Sequence, residues 1–97
     1  MTPIRFLPEA KQELQAAADY YDSEQTGLGS ALLGDVRRAC RRIADQPTAC
    51  RIERSDVSVR SLARFPYRIY YRAQPEEILV IAVCHRRRRP GFWVVRT

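Results

Sequence analysis

Apolar side chains recur along this chain with two different periods, and the change of period divides it. Ile4 and Phe6, with Arg5 and Leu7 around them, alternate like a short strand that Pro8 ends. From there the spacing lengthens: Leu14, Ala17, Ala18 and Tyr21 recur at i, i+3, i+4 and i+7, the stripe of an amphipathic helix running to about Gln25. Pro8 suits a first helical position, and Glu9 and Glu13 put negative charge near the positive end of the helix dipole. Gly27 and Gly29 interrupt the stripe and imply a tight turn. Leu28, Leu32, Val36, Cys40 and Ile43, with Leu33 and Ala44 beside them, then form a second stripe that stops before Pro47, while Arg37, Arg38, Arg41 and Arg42 take the other face. Two helices of similar length and a short join predict an antiparallel helical hairpin.

From Pro47 to about Asp56 no period is clear, and the residues favour turns. Beyond it come three strand-like runs, 57–64, 67–73 and 78–84, the last two joined by the polar loop Gln74-Pro75-Glu76-Glu77, a hairpin signal. The unbroken apolar run from Ile78 to Val83 predicts a central strand buried on both faces, one of them by the helices. Val59, Leu62, Ile69 and Tyr71 add to that core from neighbouring strands. The expected fold class is α+β, in the order β-α-α-β-β-β, with a helical hairpin packed on one side of a mainly antiparallel sheet. At 97 residues the chain suits a single domain.

Charge sharpens this picture. The net charge is +6, and all basic residues except Lys11 are Arg. Residues 1–27 hold two basic and five acidic side chains, whereas residues 28–97 hold fifteen Arg against six acids, a net +9. The excess predicts an acidic partner. No stretch approaches the roughly 18 to 20 apolar residues of a membrane span, and the N-terminus lacks the basic-then-apolar pattern of a signal peptide, so the expected location is the cytoplasm. Cys40, Cys50 and Cys84 are widely spaced and His85 is the only His. Neither a disulfide framework, a metal site nor a cofactor is expected.

The segment Arg64-Phe65-Pro66-Tyr67-Arg68-Ile69-Tyr70-Tyr71-Arg72, the apolar run after it, and His85-Arg86-Arg87-Arg88-Arg89-Pro90 are more distinctive. Together they resemble the RelE/ParE superfamily of toxins from type II toxin–antitoxin systems. Ala10 to Tyr21, the Gly27-Leu28-Gly29 turn and Ala44-Asp45-Gln46-Pro47 look similar as well. The resemblance implies a RelE/ParE-like fold and a growth-inhibiting toxin neutralised by a cognate antitoxin, in a toxin–antitoxin hetero-oligomer. It leaves two targets open: DNA gyrase, inhibited without catalysis as in the ParE-like branch, or mRNA on the ribosome, cleaved as in the RelE-like branch. The segment around Phe65 to Arg72 is closer to the ParE branch.

RNA cleavage through the 2′-hydroxyl needs a base, an acid for the leaving oxygen and cations around the phosphate. Arg serves only the last role. By resemblance Arg68 and Arg86 match phosphate-binding positions of RNA-cleaving relatives, and His85, the only His, is the remaining residue of a type suited to acid–base work. These three are the catalytic candidates if the protein is a metal-independent endoribonuclease. Yet Val59, Arg60, Ser61 and Leu62 stand where such relatives carry Lys or Glu, and Phe92-Trp93 stands where they tend to carry Tyr. In the non-catalytic reading no catalytic residue is expected. The residues expected to meet antitoxin or target are Arg37, Arg41, Arg60, Arg64, Arg87, Arg88, Phe92 and Trp93. Several have a plainer reading, a solvated helix face for Arg37 and Arg41, a basic tail for Arg87 and Arg88, and back-packing on the domain for the two aromatics.

Overall fold

The computed structural model of the chain describes residues 2–50, 52–88 and 91–96. Its elements are β1 (Ile4–Phe6), α1 (Pro8–Glu24), α2 (Leu28–Asp45), β2 (Ile52–Arg54), β3 (Val57–Ser61), β4 (Tyr67–Ala73) and β5 (Ile78–His85), closed by a 3-10 helix at Phe92–Arg96. The strands form one sheet in the order β1-β5-β4-β3-β2. Only the β1–β5 pair is parallel, with Ile4 opposite Ile78 and Phe6 opposite Val80. The α+β class and the helical hairpin are as the apolar pattern predicts, but the helices are followed by four strands, one more than expected. The addition is β2, whose three residues are all exposed. A strand wet on both faces carries no alternation, so it leaves no trace in the pattern. No described helix is long and apolar enough to cross a membrane.

The hairpin turns on two glycines for different reasons. Gly27 has φ +97°, a left-handed conformation that costs glycine little. Gly29 sits where the helices nearly touch: a Cβ there would lie 2.5 Å from the Ala18 carbonyl oxygen and 2.7 Å from Asp22 Cγ. Asp22 uses that closeness. Its Oδ1 accepts from the backbone N–H of Gly27 (3.2 Å) and of Gly29 (2.8 Å), so α1 supplies the cap that α2's own N-terminal residues lack.

β5 lies inside the sheet between β1 and β4 and is buried from Ile78 through Cys84. Ile78, Val80 and Val83 pack with Ile69 and Tyr71 against Leu32, Val36 and Ile43 of α2. Leu79, Ile81, Ala82 and Cys84 pack on the other side with Val57, Val59 and Tyr70. The ladder shifts between the Tyr70–Ala82 and Tyr71–Val80 pairs, so Ile81 is an extra residue and both Ile81 and Ala82 join the second cluster.

That second face is covered by Trp93, 2% exposed, whose ring lies 5.3 Å from that of Tyr70. The expectation of Trp93 as a partner-facing residue is corrected here. The sheet needs an apolar cover on the side the helices leave open, and Trp93 supplies it.

β3 ends at Ser61, three residues earlier than the pattern predicts, because an acid on α2 captures the chain. Asp35 is 2% exposed, and its Oδ2 accepts from the backbone N–H of Arg64 (2.9 Å) and Phe65 (3.1 Å). Arg38 lies 3.7 Å from its other oxygen. Asp35→Asn keeps an acceptor but loses the charge that strengthens both bonds, and should cost about 1–2 kcal/mol. Urea unfolding measures this, and an unchanged midpoint would show that the loop holds its course without Asp35.

Candidate functional site

Cationic side chains gather at the two ends of β5. At its start, Arg37 and Arg41 of α2 border a groove of about 370 Å³ floored by Cys40 and Ala44 and walled by Pro3 and Ile4. At its end, Arg86, Arg87 and Arg88 follow His85 and are all exposed. Arg89, the last of that run, lies outside the described residues. β5 spans about 23 Å at 3.3 Å per residue, so the two groups are separate surfaces.

The end after His85 is organised by Glu13. β1 stops at Phe6, with Leu7 N–H donating to the Val80 carbonyl (2.9 Å). Past that point no strand among the described residues pairs with β5 on this edge. Glu13 Oε1 accepts from Val83 N–H (3.1 Å), and Arg96 Nη1 donates to the Ile81 carbonyl (3.1 Å), so two side chains stand in for the missing strand. They also bind each other: Arg96 Nη1 to Glu13 Oε1 at 2.9 Å and Nη2 to Oε2 at 2.8 Å. The hydrogen bond that Arg96 donates to Glu13 raises the Arg96 pKa further. Phe92 completes the clasp, with the Arg88 guanidinium 4.0 Å and the Arg96 guanidinium 5.2 Å from its ring centre. Phe92 is therefore half-buried among arginines.

Beside the clasp, Glu13, Ala16, Ala17 and Tyr20 of α1 face Tyr67, Val83, Cys84, His85 and Arg88 across a groove of about 310 Å³. The His85 and Tyr67 rings meet edge-on at 5.4 Å, and Tyr21 continues the chain of rings to Tyr67 at 6.1 Å and Phe65 at 5.1 Å. His85 Nδ1 accepts from the Arg87 backbone N–H at 3.1 Å. Burial raises the Tyr67 pKa, with Tyr21, Tyr20 and Cys84 adding to it. Burial likewise pushes the Cys84 thiol up to about 11, reinforced by Glu13.

The three nuclease candidates do not converge. Arg68 stands opposite Cys84, and Tyr67 stands opposite His85. Directly opposed residues share a face and successive residues alternate. Cys84 belongs to the cluster under Trp93 and Tyr67 to the helix side, so Arg68 and His85 project from opposite faces of the sheet. Arg86 is exposed in the turn, its N–H held by the Pro66 carbonyl at 2.9 Å.

Among the expected partner contacts, Arg37, Arg41, Arg64, Arg87 and Arg88 are exposed. Arg60 is half-buried, its Nη1 3.4 Å from Cys50 Sγ. The pattern of residues missed Glu13, Asp35 and Arg96. Asp35 left a signal, an acid three residues after Leu32 on the apolar stripe. Glu13 was legible only as a dipole partner, and Arg96 not at all. Among the described residues no three His, Cys, Asp or Glu side chains gather to hold a metal ion.

The family model described as ParE toxin of type II toxin-antitoxin system, parDE, matches residues 4–90. A solved chain described as a chromosomal ParDE TA system from P. aeruginosa superposes with a TM-score of 0.75 at 17% identity, covering 88% of this chain and 96% of that one. At that identity the likeness is one of fold. No functionally curated protein matches the chain.

Proposed function

This chain belongs to the ParE toxin family of type II toxin–antitoxin systems, and on that premise we propose that it arrests growth by inhibiting DNA gyrase in the cytoplasm and that a cognate antitoxin neutralises it. The observation that carries the reading is the separation of Arg68 and His85 on opposite faces of the β4–β5 ladder. Cleavage of RNA needs proton transfer and phosphate stabilisation at one point. Arg68 and His85 leave the sheet from opposite faces, which does not favour their acting together on one phosphate, and Arg86 supplies charge but no base. Inhibition by binding asks only for surface, and the exposed arginines at the two ends of β5 offer it.

Purified gyrase with added toxin tests this. Supercoiling should fall, recover on addition of antitoxin, and fall equally with Arg68→Ala and His85→Ala variants. Undisturbed supercoiling, together with ribosome-dependent mRNA cleavage that both substitutions abolish, would replace this reading with the RelE-like one.

A further inference from the structure

Among the described residues the sheet ends on one side at β1, and that edge is open. The Pro3 carbonyl accepts from Ile78 N–H (2.8 Å) and Leu7 N–H donates to the Val80 carbonyl (2.9 Å). In a parallel ladder the backbone groups of Ile4 and Phe6 must then turn away from β5. Among the described residues, no backbone bond outside the regular elements reaches them. Pro3 and Pro8 bracket the strand, so it offers pairing for only a few residues, too few to act as a general aggregation edge.

The groove walled by Pro3 and Ile4 runs beside this edge on the helix side. Its floor, Cys40 and Ala44, is apolar, and burial pushes the Cys40 thiol up to about 11, which keeps it neutral. Its rim carries Arg37 and Arg41, one helical turn apart and both exposed, and among the described residues no acidic side chain lines it. Neither arginine has an ion pair with a described residue. By contrast Arg5, on the same short strand, is already paired with Glu77 at 2.7 Å.

We propose that this edge and groove receive an extended acidic segment of the antitoxin, added as a strand to β1, with one side chain over Cys40 and Ala44 and carboxylates on Arg37 and Arg41. The inference rests on neutralisation by an antitoxin, as proposed above. Main-chain bonds to Ile4 and Phe6 supply affinity that does not depend on sequence, while the groove and the two guanidinium groups select the side chains. The cationic balance of residues 28–97 adds attraction at longer range.

Two measurements on the full-length toxin and its antitoxin test it. In NMR hydrogen exchange on the wild-type pair, the Ile4 and Phe6 amides should exchange at least about tenfold more slowly in the complex than in free toxin. The Arg37→Glu/Arg41→Glu variant, with unchanged circular dichroism, should bind antitoxin at least about tenfold more weakly, whereas Lys11→Glu on α1 should not. A wild-type complex in which Ile4 and Phe6 exchange as fast as in free toxin overturns the proposal. So does a double variant that binds as tightly as wild type. A toxin that its antitoxin does not bind at all fails the neutralisation reading first, and this inference with it.

Discussion

Glu13→Ala should lower the unfolding free energy by about 3–5 kcal/mol and shift Trp93 fluorescence to the red. Glu13 and Arg96 have side chains 16% and 14% exposed, so the pair is screened little by water. Removing the carboxylate leaves a guanidinium mostly buried without its counter-charge, and an amide, Val83 N–H, without its acceptor. Small domains are stable by only about 5–15 kcal/mol, so the loss is a large share of the total. The chain can limit that cost by releasing the 3-10 helix, and Trp93, the sole tryptophan, reports the release directly. Glu13→Gln keeps an oxygen for Val83 and should lose less. In the Glu13→Ala/Arg96→Ala double variant the losses should fall short of additive, because neither charge is stranded. Unchanged emission and an unchanged urea midpoint for Glu13→Ala would mean that Trp93 holds the tail without the ion pair.

The second large effect separates two glycines of one helix. Helix propensity alone favours Ala over Gly by about 1 kcal/mol at either position. At Gly34 the added methyl meets only the Arg38 guanidinium, at 3.4 Å, a flexible group that can move, so Gly34→Ala should gain up to about 1 kcal/mol. At Gly29 the methyl meets the Ala18 carbonyl at 2.5 Å, a backbone atom that cannot move alone. The helices must part, and the Asp22 cap bonds to Gly27 and Gly29 stretch with them. Overpacking of this kind costs about 1–3 kcal/mol, to which the lost cap adds about 1. Gly29→Ala should therefore destabilise by about 2 kcal/mol despite its better propensity. Equal effects at the two positions in thermal unfolding would show that the hairpin closes less tightly than these distances require.

Much of this architecture is legible in the sequence. Both helices, the Gln74-to-Glu77 hairpin and the doubly buried β5 follow from apolar spacing, because each buries a face that local periodicity records. The two glycines announced the turn, but not that Gly29 is there for a close approach rather than for a left-handed backbone. Similarity marked Arg68 as a candidate, and side-chain chemistry marked His85. Neither could show that they point apart, since that depends on the register between β4 and β5. Trp93 was ambiguous for a like reason: whether it is core or surface depends on which face of the sheet the helices leave uncovered.

Composition and periodicity by themselves determined the helical hairpin, the core strand and a strongly cationic second half, because these are properties of neighbouring residues. The tertiary structure alone decided that β1 runs parallel to β5, that Glu13 and Arg96 finish the β5 edge where β1 stops, that Asp35 bends the chain after β3, and that β1 keeps an open edge above Arg37 and Arg41. Each joins segments far apart in the chain. A charged residue's role there is set by which buried backbone group lacks a partner, and only the assembled sheet determines that.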